Sequence, residues 1–288
     1  MSKKIENVLV AGSGVMGRGI ATAFLRAGCR VAILSRNPGE VPKIVKGAAG
    51  VGALPEAAPE LIVESIPERV DLKQELYGRI EAAYGGKPII ATNTSGLALE
   101  DLAAKLKFPA QFIGLHYFQP AEVLPMVEVC KTLDTTDDVA DAVCAAVRAC
   151  GQEPILLQRP IVGFLMNRLQ HAILHEAYYL IDQGVCGAKE VDEVARHLLG
   201  PRMCITGLIE QKDISGLDTH AVVQRQIVPE LNHSATPGPA CQTLYEQGHY
   251  GIKTGRGFYD WTKRDGKAYA AKAKAKLEAL IQFLAKQA

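Results

Sequence analysis

The chain has 288 residues, of which 48% are hydrophobic and 22% are charged, and its formal net charge at pH 7 is +1. This is the composition of a globular protein with enough chain for one large domain or two smaller ones. The near-zero net charge gives no electrostatic reason to expect nucleic acid or an anionic membrane surface as a partner.

The chain contains seven cysteines, and no two of them form a CxxC pair. Such usage favours a reducing compartment and predicts neither a disulfide framework nor a cysteine-based metal site. No segment contains the run of about 20 apolar residues that a membrane-spanning helix needs. The polar start, residues 1–6, is not typical of a signal peptide. We therefore expect a cytoplasmic protein without a metal ion.

The first half of the chain alternates short apolar strands with helical segments. This alternation is typical of a doubly wound parallel sheet with crossover helices, an α/β fold. The predicted strands are residues 8–11, 31–34, 61–64, 89–92, 111–115, 126–129 and 155–157. The predicted helices between them are residues 16–26, 71–83, 99–104 and 137–149.

From residue 163 onward the pattern predicts helices only, at residues 164–183, 191–199, 217–231 and 267–286. An α/β half followed by an all-α half indicates two domains. We place them at residues 1–159 and 160–288, with the boundary at Arg159-Pro160. Broad apolar faces on the helices near residues 165–180 and 214–228 favour a homodimer formed through the second domain.

A glycine-rich turn follows the first predicted strand and precedes the first helix. The turn consists of Gly12, Ser13, Gly14, Val15, Met16 and Gly17. In a dinucleotide-binding turn of this GxGxxG form, the first glycine permits the tight bend and the second lets the backbone approach a pyrophosphate. The third lets the helix pack closely against the strand. The context of strand, turn, helix and second strand is the one that this motif requires.

The second predicted strand ends without the acidic residue that would bind the ribose hydroxyls of NAD. Ser35, Arg36 and Asn37 stand there instead. A hydroxyl and a guanidinium are phosphate ligands, and the guanidinium can also stack on adenine. The sequence therefore predicts a preference for NADP(H), with NAD(H) as the alternative.

Five ordered stretches carry a resemblance to a known family. They are residues 12–17, the TNTSGL of 92–97, the GLHYFQP of 114–120 with VEV at 127–129, the GFLMNRL of 163–169 and the KTGRGFY of 253–259. Together they resemble the 3-hydroxyacyl-CoA dehydrogenase family, over nearly the whole chain. The resemblance implies a Rossmann-type domain followed by a smaller helical domain for substrate binding and dimerisation.

The resemblance also implies the residues of the reaction. His116 would be the acid and base, Glu128 its orienting carboxylate, and Ser95 and Asn167 the donors to the substrate oxygen. Serine in a Ser-Gly turn can instead serve the local backbone, and an asparagine in a first helical turn can serve as a local cap. Glu128 could be a surface charge, but its apolar neighbours Val127 and Val129 predict burial.

Further positions match cofactor contacts of the family: Glu68, Lys73, Asn93, Gln119 and Lys253. For the charged ones the alternative is a solvated side chain. Gln119 stands where the family motif has asparagine, so its amide is displaced by one methylene, which we expect to mark a different substrate shape.

The connection between Arg36 and Glu64 has only 27 residues, four of them proline. Relatives acting on long-chain fatty acids insert a helical hairpin there that helps to hold CoA, and this connection is too short for it. The expected function is hydride transfer between NAD(P) and the 3-hydroxy or 3-oxo group of an acyl-CoA in fatty acid metabolism, or of a related short hydroxy acid. The alternatives are a dehydrogenase of a free hydroxy acid and a non-catalytic nucleotide-binding protein.

Overall fold

The computed structural model describes residues 4–287. They divide into two compact units, an N-terminal unit that ends at Arg168 and a C-terminal unit that begins at Leu169. The N-terminal unit is an α/β structure built on one sheet and the C-terminal unit is helical. The predicted fold class is confirmed.

Eight strands form the sheet, in the order β3-β2-β1-β4-β5-β6-β7-β8. Their bounds are Asn7–Ala11 (β1), Arg30–Leu34 (β2), Ala49–Val51 (β3), Leu61–Glu64 (β4), Ile89–Thr92 (β5), Phe112–His116 (β6), Met126–Lys131 (β7) and Glu153–Leu157 (β8). The sequence prediction missed β3, which has three residues and contains Gly50. A strand this short shows no recognisable alternation of apolar and polar residues.

The sheet is not wholly parallel as predicted. Strands β1 to β6 run parallel, but β7 pairs antiparallel with β6, and β8 then pairs parallel with β7. The connection between β6 and β7 contains no helix, and a parallel return would need a crossover of a dozen or more residues. The chain therefore reverses direction at this point.

Helices cover both faces of the sheet. Those of the N-terminal unit are Val15–Arg26 (α1), Val41–Ile44 (α2), Val70–Tyr84 (α3), Leu99–Ala103 (α4) and Asp137–Ala149 (α5). Side chains alternate along β1, so Val8 and Val10 join the core with α1 and α5, while Leu9 and Ala11 join the core with α3 and α4. The connection from β2 to β4 holds only α2, β3 and a short 3₁₀ turn, which leaves no helical hairpin there.

The remaining helices are Met166–Asp182 (α6), Ala188–Val194 (α7), Gly200–Thr206 (α8), Glu210–Ser215 (α9), Leu217–Ile227 (α10), Pro239–Glu246 (α11) and Gly266–Ala285 (α12). A π-helical stretch, Ala195–Leu199, joins α7 to α8. At the start of α12 the Asp265 side chain accepts a hydrogen bond from the Ala268 N–H, a regular N-cap. Across residues 4–287, none of the helices has both the length and the apolar character required to cross a membrane.

Candidate active site

The carboxyl ends of β1, β4, β5 and β6 lie at one edge of the sheet. Strand order reverses between β1 and β4, because β2 and β3 lie on one side of β1 and the later strands on the other. Doubly wound sheets bind ligands in the crevice at such a reversal. Gly12, Glu64, Asn93 and His116 end or directly follow these four strands. Three predicted site residues, Gly12, Asn93 and His116, therefore lie at this edge.

The glycine turn has the shape that the sequence predicted. Gly12 has a φ of +120°, and a Cβ there would lie 2.4 Å from the carbonyl oxygen of Ser65. A Cβ on Gly17 would lie 2.0 Å from the carbonyl oxygen of Gly12. Both positions therefore require glycine. A Cβ on Gly14 would meet no atom within 4 Å, so this glycine keeps the backbone accessible at the start of α1.

A cleft of about 920 Å³ opens beside the turn. It collects most of the predicted cofactor residues, namely Gly12, Ser13, Gly14, Val15, Met16, Ser35, Arg36, Glu68 and Asn93, together with Ser95. Sequence reasoning missed one wall, which consists of Leu72, Glu75, Leu76 and Arg79 on α3. Their spacing of three and four residues puts them on one helical face. A glycine turn at a helix N-terminus, apolar walls and flanking hydroxyls fit a dinucleotide.

Ser35 lies against the glycine turn. Its hydroxyl oxygen is 2.9 Å from that of Ser13, and its N–H donates to the carbonyl oxygen of Val51. The next side chain, Arg36, is exposed and lines the cleft. Within the described part of the chain, neither Arg36 nor Arg79 forms an ion pair with a carboxylate. The mouth of the cleft therefore carries two guanidinium groups available to an anion.

His116 and Glu128 form a buried pair at the end of β6. The two residues are directly opposed in the β6–β7 ladder, and His116 Nδ1 is 2.8 Å from Glu128 Oε2. The imidazole is 3% exposed and the carboxylate is fully buried. Glu128 is thus not a surface charge. It occupies one ring nitrogen, which leaves Nε2 for other chemistry.

The other oxygen of Glu128 holds the start of α6. Oε1 accepts the N–H groups of Leu165 at 2.9 Å and Met166 at 2.7 Å. A carboxylate at this place satisfies helix N–H groups that would otherwise lack partners and complements the positive end of the helix. The helix accordingly begins at Met166 and not at Phe164 as predicted, since Gly163 and Phe164 adopt positive φ angles of 81° and 52°.

Two aromatic rings enclose the imidazole of His116. The Phe118 ring lies edge-on with its centroid at 4.5 Å, and the Phe164 ring lies at 5.1 Å. Phe164 is fully buried. Sequence reasoning gave neither phenylalanine a role, although both lie within stretches that carry the resemblance. The rings fix the plane of the imidazole and exclude water from its faces.

Ser95 and Asn167, the predicted ligands of the substrate oxygen, are joined by a hydrogen bond from the Asn167 side chain to the Ser95 backbone. The side-chain amide of Asn167 donates from Nδ2 to the carbonyl oxygen of Ser95 at 3.1 Å. Asn167 therefore does not act as the local cap of α6. Asn93, two residues before Ser95, accepts the Tyr117 N–H at 2.9 Å and so ties the end of β5 to that of β6.

Two protein-family models match consecutive parts of this chain. The description "3-hydroxyacyl-CoA dehydrogenase, NAD binding domain" matches residues 7–54 and 45–160, and "3-hydroxyacyl-CoA dehydrogenase, C-terminal domain" matches residues 163–261. The chain belongs to the 3-hydroxyacyl-CoA dehydrogenase family. It is an oxidoreductase with an NAD(H)-binding domain.

Several relatives of this dehydrogenase cover nearly its whole length. It is 26% identical to 5-formyl-3-hydroxy-2-methylpyridine 4-carboxylate 5-dehydrogenase of Mesorhizobium japonicum, over 97% of this chain and 98% of that protein. A crystal structure of a dehydrogenase of that name, described as an NAD+ dependent dismutase, superimposes with a TM-score of 0.88 at 25% identity, over 97% of this chain and 98% of the other. A probable 3-hydroxybutyryl-CoA dehydrogenase of Bacillus subtilis is 28% identical over 91% of this chain and 99% of its own.

Lys73 was expected to contact the cofactor, but it is not among the residues that line the cleft of the dehydrogenase. Its side chain is fully buried, and Nζ lies 2.6 Å from Glu64 Oε1 and 3.2 Å from Glu68 Oε2. Two carboxylates draw the ammonium inward, so Lys73 is a partner of Glu68 and not part of the cleft wall.

Glu64 is the buried centre of this network. Its carboxylate has no exposed surface and accepts four hydrogen bonds, two on each oxygen. Oε1 accepts from Lys73 Nζ and the Ile66 N–H, and Oε2 accepts from the hydroxyl groups of Tyr77 and Thr92. Burial, followed by the nearby Glu64 charge, raises the pKa of Tyr77 well above its ordinary value. Sequence reasoning missed Glu64, because an acid that ends an apolar strand resembles a surface charge.

Glu68 connects the network to the cleft. Its carboxylate accepts the Ser95 N–H at 2.8 Å and the Thr94 hydroxyl in a short hydrogen bond. Burial alone would raise the pKa of the Glu68 carboxyl, but the hydrogen bond from Thr94 and the charge of Lys73 lower it below its ordinary value. Glu68 is therefore an anion at neutral pH.

Two predicted cofactor contacts lie elsewhere. Gln119 is exposed and is not among the residues that line the cleft. Lys253 is an exposed residue of the C-terminal unit. A second cleft, of about 1020 Å³, lies at the opposite, amino edge of the sheet, where Glu60, Lys87 and Gln111 precede β4, β5 and β6. It contains none of the predicted site residues.

Proposed function

We propose that the dehydrogenase interconverts a hydroxyl and a carbonyl group at position 3 of a short acyl substrate, with His116 as the acid and base. The observation that carries the proposal is the buried His116–Glu128 pair at the carboxyl edge of the sheet, where Nδ1 is 2.8 Å from the carboxylate and Nε2 has no hydrogen-bond partner among residues 4–287. Histidine suits the role because its ordinary pKa lies near neutrality.

Each residue has a defined part in the oxidation. A nicotinamide cofactor, when bound by the glycine turn, would supply the acceptor for the hydride on the carbon that bears the hydroxyl. His116 Nε2 accepts the hydroxyl proton as the carbonyl forms, and Glu128 stabilises the resulting imidazolium through Nδ1–H. In the reduction, Nε2 returns the proton to the alkoxide oxygen.

Ser95 and Asn167 supply donors for the substrate oxygen. Asn167 uses one amide hydrogen on the Ser95 carbonyl at 3.1 Å, and its second amide hydrogen remains for the substrate. The Ser95 hydroxyl is exposed at the cleft wall. Fixed donors aimed at a developing oxyanion lower the barrier more than mobile water does.

For the cofactor we propose a preference for NADP(H) over NAD(H). Ser35 and Arg36 directly follow β2, where an acid would repel a 2′-phosphate, and Arg79 supplies a second guanidinium in the same cleft. The backbone of Gly12 to Gly17 and the start of α1 would hold the pyrophosphate. Asn93, which lines the cleft with Ser95, would lie toward the nicotinamide end.

A free acid without CoA is the second candidate substrate. Two observations favour it. The β2–β4 connection has no helical hairpin, and the pyridine-carboxylate dehydrogenase superimposes with a TM-score of 0.88. L-carnitine dehydrogenase of Burkholderia mallei, 32% identical over 74% of this chain and 74% of its own, is a further relative named for a small hydroxy acid.

One screen tests the function. The purified protein is assayed with acetoacetyl-CoA, 3-hydroxybutyryl-CoA and a panel of free 3-hydroxy and heteroaromatic acids, each with both cofactors. Turnover of a CoA thioester that His116→Ala abolishes supports the main proposal and a place in fatty acid metabolism. Turnover of free acids alone supports the second candidate. Cofactor binding without turnover of any substrate would support a non-catalytic nucleotide-binding protein and overturn both.

We further propose a homodimer in the cytoplasm. The C-terminal unit exposes large apolar side chains on α6, α9 and α10, including Leu169, Ile173, Ile214, Leu217 and Ile227, each more than two-fifths exposed. A monomer rarely leaves so much apolar surface uncovered. Light scattering after gel filtration should give twice the mass of 31.0 kDa.

The cysteines support the proposed compartment. All seven are free thiols, as expected in the reducing environment of the cytoplasm.

A further inference from the structure

Ser95 is held on both sides of its backbone. Its N–H donates to Glu68 Oε1 at 2.8 Å, and its carbonyl oxygen accepts from Asn167 Nδ2 at 3.1 Å. The same carboxylate also accepts the hydroxyl of Thr94, which in turn accepts the Leu97 N–H at 3.1 Å. The turn that carries Ser95 is therefore fixed by side chains from two other elements.

Glu68 is itself held in place. Lys73 lies between Glu68 and the fully buried Glu64, at 3.2 Å and 2.6 Å. Because Glu64 belongs to β4 and lies inside the core, this chain of ionic contacts links the sheet to the Ser95 turn. Glu68 itself is 43% exposed on its side chain, so it can be changed without opening the core.

We propose that Glu68 is a positioning residue for Ser95, which rests on the function proposed above. In this role Glu68 acts through the Ser95 backbone and not by binding the cofactor. A turn that moves by about an ångström would misplace the Ser95 hydroxyl, and such displacements can cost up to about 100-fold in rate. The requirement on Glu68 is for a hydrogen-bond acceptor, so glutamine can meet it and alanine cannot.

The first test measures the turn without any turnover. Hydrogen–deuterium exchange of the peptide covering residues 93–97 is compared in the cofactor-free protein. We expect Glu68→Ala to speed exchange about tenfold or more, and Glu68→Gln and Asp71→Ala to leave it near the wild-type rate. Asp71 is a matched control, an exposed acid in the first turn of α3, three residues after Glu68, that pairs with Arg69. Unchanged exchange in Glu68→Ala would overturn the proposal, whether or not the protein proves to be a dehydrogenase.

The second test is a double-mutant cycle on kcat with Ser95→Ala. If Glu68 acts through Ser95, Glu68→Ala lowers kcat about tenfold or more in the wild type but less than about twofold in the Ser95→Ala background. Glu68→Gln should retain most of kcat, and the Kd of the reduced cofactor should change little in every variant. Equal losses in both backgrounds, or weaker cofactor binding at unchanged kcat, would make Glu68 a cofactor ligand and overturn the proposal. If wild-type turnover is absent, the proposed function fails separately, while the exchange result still decides the role of Glu68.

Discussion

His116 and Glu128 face each other across the antiparallel β6–β7 pair, with 2.8 Å between Nδ1 and Oε2. Directly opposed residues on adjacent strands project from the same face of the sheet. The acid–base pair is therefore positioned by the ladder of backbone hydrogen bonds, and Glu128 at the same time holds the start of α6.

The first prediction concerns this pair. We expect His116→Ala to lower kcat by about 10³-fold, because the proton acceptor is lost, with unchanged cofactor affinity. Glu128→Gln should also lower kcat strongly, since a neutral amide cannot stabilise the imidazolium. It should in addition lower the free energy of unfolding by about 1 kcal/mol through the weakened helix start. Steady-state kinetics, fluorescence titration with NADPH and thermal denaturation measure the three effects. A His116→Ala enzyme with a tenth of the wild-type kcat would contradict the assignment.

The second prediction concerns cofactor choice. Arg36→Ala should weaken NADPH binding by about tenfold or more and leave NADH binding nearly unchanged, because only NADPH carries the 2′-phosphate. Ser35→Asp should reverse the preference. Arg30→Ala is a matched control, an exposed arginine at the opposite end of β2. Equal affinities of the wild type for both reduced cofactors in fluorescence titrations would remove the basis of the proposal.

The third prediction separates two glycines of the turn. Gly14→Ala adds a methyl group where no atom lies within 4 Å, so the free energy of unfolding should change by less than about 0.5 kcal/mol. The methyl group should nevertheless weaken cofactor binding, because it stands where the pyrophosphate must approach. Gly12→Ala should lower stability by about 1–3 kcal/mol, since it strains a φ of +120°. Matching stability losses in chemical denaturation would disprove the distinction.

The fourth prediction concerns the buried ion pair. Lys73→Met should lower the free energy of unfolding by about 3–5 kcal/mol, because it leaves the Glu64 carboxylate without its counter-ion inside the core. Adding Glu64→Gln to Lys73→Met should restore part of the loss. Lys43→Met, which breaks the exposed pair with Glu40, should cost less than about 1 kcal/mol. Urea denaturation of the four proteins provides the comparison, and a small loss in Lys73→Met would argue against the buried charge pair.

The fifth prediction concerns alkaline pH. Burial and the Glu64 charge raise the folded-state pKa of Tyr77 well above 10, which favours the protonated form in the fold. The resulting stabilisation is full below the pKa of an unfolded tyrosine, near 10, and is lost as pH rises toward the folded-state value. Among the nine tyrosines, Tyr77 should thus ionise only late in an absorbance titration at alkaline pH. Loss of an early-titrating tyrosine in Tyr77→Phe would refute this.

Much of the fold followed from local patterns. The turn at Gly12 was predictable because its positive φ and its close approach to the backbone of Ser65 demand glycine. The strand bounds around Leu61 and Ile89 followed from continuous apolar runs, which are typical of strands buried on both faces.

The direction of β7 does not follow from its side chains, because the same alternation suits a parallel and an antiparallel strand. The signal for it was the short connection after β6, which contains no helix. The reversal of β7 is what brings Glu128 opposite His116. The family motifs named both residues, but no local pattern placed them in contact.

The buried network escaped prediction for a different reason. Lysine and glutamate are almost always solvated, so Lys73 and Glu64 gave no sign that they pair inside the core. Only the tertiary structure shows that Lys73 of α3 contacts Glu64, the last residue of β4. That contact also explains why Lys73 is absent from the cleft.

The in-register placement of His116 and Glu128 has a consequence for how this enzyme can diverge. The connection between them can lengthen beyond Phe118 without changing which residues are paired, because strand register and not loop length sets their separation. A single residue inserted within β7 ahead of Glu128 would instead turn the carboxylate to the opposite face of the sheet. The length of the loop can therefore vary among relatives, while the pairing of His116 with Glu128 depends on an unchanged register between β6 and β7.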